Sequence, residues 1–149
     1  MDELDRRILA ELQDDFPLQP DPYAVMGERL GISSEQFWTR VRALLESGVI
    51  RRLGFSIDSR RIGYTSTLAA VTIAPEMIDE ASAVIAAFPE VTHSYLRDDA
   101  FNIWFTVIAR DDARIAAILR QIRDALGLTD GDILNLPAGK LFKLDTRFK

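Results

Sequence analysis

The chain contains no cysteine and a single histidine, His93, in 149 residues. The first absence removes disulfides, thiolate metal sites, cysteine-ligated iron–sulfur clusters and cysteine nucleophiles together. The second leaves no set of imidazoles with which one chain would hold zinc, so no intrinsic metal site is expected. No run approaches the roughly 20 apolar residues of a membrane-spanning helix. The N-terminus, MDELDRR, lacks the apolar centre of a signal peptide. The expected location is the cytoplasm, with no membrane partner. An excess of positive charge is missing as well. Lys and Arg number 8 against 11 Asp and Glu in residues 1–60, and 10 against 12 in residues 61–149. Neither half therefore offers the long-range attraction for phosphate on which non-specific DNA binding relies. What is present, 48% hydrophobic residues at a mean hydropathy of +0.01, is the composition of a soluble globular protein.

The first 60 residues read as helices. Leu4, Ile8, Leu9 and Leu12 form a helical stripe over residues 1–14, with Asp2, Glu3 and Asp5 at the end where the helix dipole favours acids. Residues 16–23, FPLQPDPY, hold three prolines in eight positions and must be a stiff, extended loop. A second helix over 23–30 stops at Gly31. Ser33 with Gln36 makes a capping box for a third, whose Phe37, Val41, Leu44 and Leu45 face inward before Gly48 ends it. Two strands around Asp58-Ser59 are expected to follow, which would complete a winged helix-turn-helix.

From Tyr64 the period changes. A β-branched strand over 66–73 precedes a helix opened by Pro75 and closed by Pro89, with Ile78, Ala81, Ile85 and Phe88 inward. Residues 91–109, VTHSYLRDDAFNIWFTVIA, read as a β-hairpin turning at Asp98-Asp99. Pairing Arg97 with Asn102 puts Tyr95 opposite Trp104 and His93 opposite Thr106, all on one surface. The other surface carries Phe101, Ile103, Phe105 and Val107, with Leu96 opposite Ile103, the apolar set for a core. Asp111-Asp112 caps a helix with Ile115, Ile118, Leu119, Ile122 and Leu126 inward, residues 132–136 form a last strand, and a basic tail follows. The class is α+β: residues 1–60 a winged helix-turn-helix, residues 61–149 a ferredoxin-like βαββαβ domain. Both helices cover one sheet face, so the His93 face is left for a ligand or another subunit.

This order, joined through EQFWTRVRALLESGVIRRLGFSIDSRRIGYTS, resembles the Lrp/AsnC architecture over essentially the whole chain. Three segments, FPLQPDPY, VTHSYLRDDAFNIWF and LPAGKLFKLDTRF, resemble more narrowly the sirohaem decarboxylases, closest to their A-type subunits, which pair with a paralogous B-type subunit. The resemblance implies a carboxy-lyase of alternative haem biosynthesis that removes carbon dioxide from two acetate side chains of sirohaem to give didecarboxysirohaem. It implies no organic cofactor, since the iron arrives with the substrate.

Such chemistry needs orientation and a proton donor. Histidine is the side chain that exchanges a proton near neutrality, so His93 is the first candidate, as general acid or as axial ligand to the substrate iron. The competing explanation is a histidine that only hydrogen-bonds at an interface. Tyr95 is the second, with an interface tyrosine as its alternative, and Trp104 is either a stacking surface for the macrocycle or a packed strand aromatic. A polycarboxylate substrate calls for cations. Arg97 shares the His93 face; Arg51, Arg52, Lys140, Lys143 and Arg147 are the other candidates, each weighed against a solvated surface charge. Asn102 either orients Arg97 or a propionate, or is a polar residue at a strand end. Two alternatives come from other classes: an Lrp/AsnC-type regulator binding DNA and a small effector, or a non-catalytic haem-sensing partner. As a DNA reader the third helix would present Gln36, Thr39, Arg40 and Ala43, flanked by Glu35 and Glu46, without the phosphate anchors that groove recognition needs. DNA binding is not expected.

Overall fold

Asp2 begins the first helix by accepting the Asp5 amide at 2.9 Å while the Asp5 carboxylate takes the Asp2 amide at 2.8 Å. This reciprocal cap satisfies two orphan donors and puts acid at the positive end of the dipole. The computed structural model describes residues 1–140, which form two units, Met1–Ser56 and 57–140. In the first, α1 (Glu3–Asp14), α2 (Pro22–Leu30) and α3 (Ser34–Glu46) enclose Ile8, Met26, Phe37, Val41, Leu44 and Ile50. The capping box expected at Ser33 and Gln36 is formed. The tight α2–α3 turn depends on Gly27, which is buried; a Cβ there would lie 2.8 Å from the Ile32 carbonyl oxygen.

The two strands expected around Asp58-Ser59 are not formed. Residues 51–58 carry no regular element, and Ser59–Ile62 is a 3-10 turn capped by Asp58 and closed by Gly63 at φ 87°. Leu53, Phe55 and Ile57 do alternate as a strand would, but they are 37%, 71% and 70% exposed. A strand exists only by pairing its backbone, and this segment has no strand beside it among the described residues.

The second unit is a four-stranded antiparallel sheet in the order β2-β3-β1-β4, with β1 Thr65–Val71, β2 Val91–Leu96, β3 Ile103–Ala109 and β4 Ile133–Pro137. The helices α4 (Ile78–Ala86) and α5 (Asp112–Ala125) bury Ala81, Ile85, Ile115, Ile118, Leu119 and Ile122 against Ala69, Val71, Ile103, Phe105 and Val107. Strict alternation in β3 sends Trp104 and Thr106 to the opposite face. The hairpin register is as expected: His93 faces Thr106, Tyr95 faces Trp104 and Leu96 faces Ile103. Two details differ. Thr92 is an extra residue in a bulge between Val91 and His93, and Leu96, expected in the core, is 62% exposed because it ends an edge strand with a neighbour on one side only. No helix among the described residues is long and apolar enough to cross a membrane.

Candidate active site

Two rows of cross-strand neighbours define the face that α4 and α5 leave uncovered. One runs His93, Thr106, Leu68, Leu136; the other runs Tyr95, Trp104, Ala70, Leu134. Leu68, Tyr95 and Leu136 are exposed. The His93 and Tyr95 rings are nearly parallel, 15° between planes with centroids 6.3 Å apart. A hydrogen-bonding imidazole and a phenol thus share one edge of an apolar surface, an arrangement suited to a flat aromatic ligand with polar substituents.

The bulge gives His93 a partner that the sequence did not announce. Its Nδ1 lies 2.9 Å from Thr92 Oγ1, which also lies 3.4 Å from the Thr106 carbonyl oxygen. One hydroxyl proton serves one of these acceptors at a time. Donated to Nδ1, it leaves the imidazole proton on Nε2, a proton donor; donated to Thr106, it leaves Oγ1 to accept from Nδ1 and Nε2 bare, a ligand or base. Both arrangements use the 2.9 Å contact, and the second also uses the 3.4 Å one. Bulges re-aim side chains in this manner and leave no mark in composition or periodicity.

Arg97 continues the same strand direction beyond β2, its amide donating to the Asn102 carbonyl at 2.8 Å. Its guanidinium carbon sits 5.0 Å from the centroid of the Trp104 ring, and the indole Nε1–H donates to the Phe101 carbonyl at 2.7 Å. Trp104 therefore presents its face to Arg97, a contact that neither sequence alternative contained. Asn102 is committed elsewhere: its Nδ2 donates to the Ile73 carbonyl at 2.7 Å and its Oδ1 accepts the Ile73 amide at 2.9 Å. With both ends of the amide engaged, it fixes the hairpin to the chain leaving β1.

Arg51 and Arg52 are exposed in the irregular stretch of the first unit. Lys140 lies three residues past β4, the edge strand on the other side of the sheet from β2. Lys143 and Arg147 lie outside the described residues.

On α3 the cation of the would-be reading face is already paired. Arg40 pairs with Asp2 and, at 2.8 Å, with Asp5. The hydrogen bonds from Arg40 hold both carboxyls below their ordinary range, and the acids raise the guanidinium in return. Arg42 is the remaining cation on this helix without an ion pair among the described residues. A shallow depression of about 280 Å³ on this face is lined by Glu35, Gln36, Thr39 and Arg40 beside Leu4 and Ile32, a mixed rather than basic surface.

Three helices followed by a β2-β3-β1-β4 sheet with two helices on one face define a two-part, AsnC-type architecture. Residues 61–143 match the AsnC-like ligand binding domain family, and residues 5–51 match the siroheme decarboxylase NirDL-like HTH domain. The siroheme decarboxylase alpha subunit of Desulfovibrio desulfuricans is 44% identical over 149 residues, covering 100% of this chain and 84% of its own length. The crystal structure of the siroheme decarboxylase NirDL superposes with a TM-score of 0.71 at 28% identity, over 97% of this chain and 47% of that one; NirDL has also been solved in co-complex with an iron-uroporphyrin III analogue. An AsnC family transcriptional regulator from Agrobacterium tumefaciens matches with a TM-score of 0.78 at 26% identity, over 100% of this chain and 97% of that one. The chain belongs to the sirohaem decarboxylase family, on the AsnC-like fold.

Proposed function

We propose that this chain is the A-type subunit of a sirohaem decarboxylase, removing carbon dioxide from two acetate side chains of sirohaem to give didecarboxysirohaem. The observation that carries the site is the placement of His93, Tyr95 and Arg97 along one edge of an uncovered sheet face. The full-length kinship with alpha subunits supports the assignment of the chain.

The chemistry follows from these parts. In each acetate the bond between the methylene and the carboxylate carbon breaks, carbon dioxide leaves, and the electron pair passes into the conjugated ring. The methylene carbon then takes a proton and becomes a methyl group. His93, with its proton on Nε2, is the donor; Tyr95 beside it hydrogen-bonds a neighbouring carboxylate. Arg97 holds a carboxylate that does not react, which fixes the ring against the sheet. The macrocycle itself absorbs the electron pair, so no organic cofactor is invoked, and the iron is the substrate's own.

A sheet face covers a flat ligand from one side only. We place a paralogous B-type subunit over the other side, a reading supported by the match of this chain to about half the length of NirDL. Anaerobic incubation of the purified chain with sirohaem, with and without that partner, followed by mass spectrometry of the extracted tetrapyrrole, tests the whole proposal. Loss of one or two carbon dioxide masses is expected, with the paired sample the more active. An unchanged mass in both samples would sink it.

A further inference from the structure

We infer that Trp104 is a positioning residue that acts through Arg97, holding the guanidinium as a preformed carboxylate clamp rather than stacking on the tetrapyrrole itself. The inference rests on the reading of the open face as the substrate site. Four observations lead to it. The Arg97 guanidinium lies 5.0 Å from the Trp104 ring centroid, within the range of a cation–π contact. Arg97 forms no ion pair among the described residues, although Asp98 and Asp99 follow it directly; the Asp99 carboxylate is turned to the Ala100 amide at 2.6 Å. The indole is itself pinned, Nε1–H to the Phe101 carbonyl at 2.7 Å. The strand end beneath both is anchored by the two hydrogen bonds of the Asn102 amide to Ile73.

An arginine held over the face of a fixed ring still has N–H donors for a carboxylate, which engages two of them in parallel. The neutral ring cancels none of the charge, which stays available. The side chain has also lost its rotational freedom before the ligand arrives, and that cost is absent from binding. A neighbouring aspartate would have cancelled the charge; a free arginine would have had to be ordered by the substrate.

A double-mutant cycle with the assembled enzyme tests this, reading KM and kcat for sirohaem separately. Arg97→Ala and Trp104→Leu are each expected to raise KM more than they lower kcat, Trp104→Leu raising it by roughly three- to tenfold. The double variant should be no worse than Arg97→Ala alone, and Trp104→Phe, which keeps an aromatic face, should recover most of the loss. Circular dichroism and recovery of the assembled enzyme establish that each variant is folded. If the two effects multiply in the double variant, Trp104 contacts the substrate directly and the inference is wrong while the site stands. It is equally wrong if Trp104→Leu binds as the unmodified chain does while Arg97→Ala does not. An unchanged KM in Arg97→Ala removes the carboxylate site, and the inference with it.

Discussion

His93 Nδ1 lies 2.9 Å from Thr92 Oγ1, the hydroxyl of the one residue that bulges out of β2. In the proposed mechanism this contact decides which ring nitrogen carries the proton. Thr92→Val keeps the β-branched shape and removes the hydroxyl, so it is expected to slow single-turnover decarboxylation several-fold. Thr92→Ser, which restores an oxygen, should come close to the original rate. Equal rates for all three chains would show that the hydroxyl has no part in setting the tautomer.

His93 is exposed and belongs to neither core cluster. His93→Ala should therefore fold with a stability change within about 0.5 kcal/mol, while losing about a hundredfold or more of turnover, the usual contribution of a positioned general acid. Thermal melting paired with the mass-spectrometric assay separates the two effects. Turnover at the original rate would take the acid role away from His93.

Much of this site was legible in the hairpin alone, because alternation is a strict rule. Once Arg97 is set opposite Asn102, every partner and face from His93 to Thr106 follows, and the observed register is that one. What alternation cannot convey is the third contact of a side chain. Arg97 on Trp104, Asn102 on Ile73 and Trp104 on Phe101 depend on rotamers and on the chain path through the turn, which a period-two pattern leaves open. The wing failed for a different reason. Leu53, Phe55 and Ile57 carry a strand pattern, but pairing is a property of two segments, and the described chain offers this one no neighbour. Alternation assigns Leu96 to the core face, yet it lies exposed by position, since an edge strand is covered from one side only.

Arg40, the central cation of α3, is held by two acids from the start of α1. A helix whose middle guanidinium is paired in this way, with Glu35 at one end and Glu46 at the other, offers Arg42 as its remaining cation for the phosphate contacts that seat a recognition helix. Fluorescence anisotropy with mixed-sequence duplexes at physiological salt is expected to show no binding at nanomolar protein. Saturation in that range would overturn the prediction and favour a regulator.

Gly27 is a position where the helix-turn-helix has no room for a side chain. An added methyl meets the Ile32 carbonyl oxygen at 2.8 Å and the Ser33 carbonyl oxygen at 3.2 Å, both backbone atoms that move only with the turn itself. Gly27→Ala is expected to destabilise the first unit by about 1–3 kcal/mol, seen as a lower midpoint in urea. Gly139→Ala, with open space around its Cβ among the described residues, is the control and should leave the midpoint unchanged.

Acid should weaken both units for one shared reason. Asp2 and Asp5 are held below the ordinary carboxylate range by the hydrogen bonds from Arg40, Glu90 by that from Arg114, and Asp132 by that from the Thr129 hydroxyl. A carboxyl whose pKa is lower in the folded chain than in the unfolded one binds its proton more readily when unfolded. Its contribution is therefore fully present above the unfolded value, near pH 4, and is lost as pH falls through the folded value. Urea midpoints should stay level from pH 7 to about 5 and then fall steadily toward pH 2. Asp2 and Asp5 lie in the first unit and Glu90 and Asp132 in the second, so the fall should appear in the transitions of both. Asp5→Asn removes one of these groups and should flatten the acid limb of the first unit alone. A midpoint that rises on acidification would contradict the sign of all four shifts.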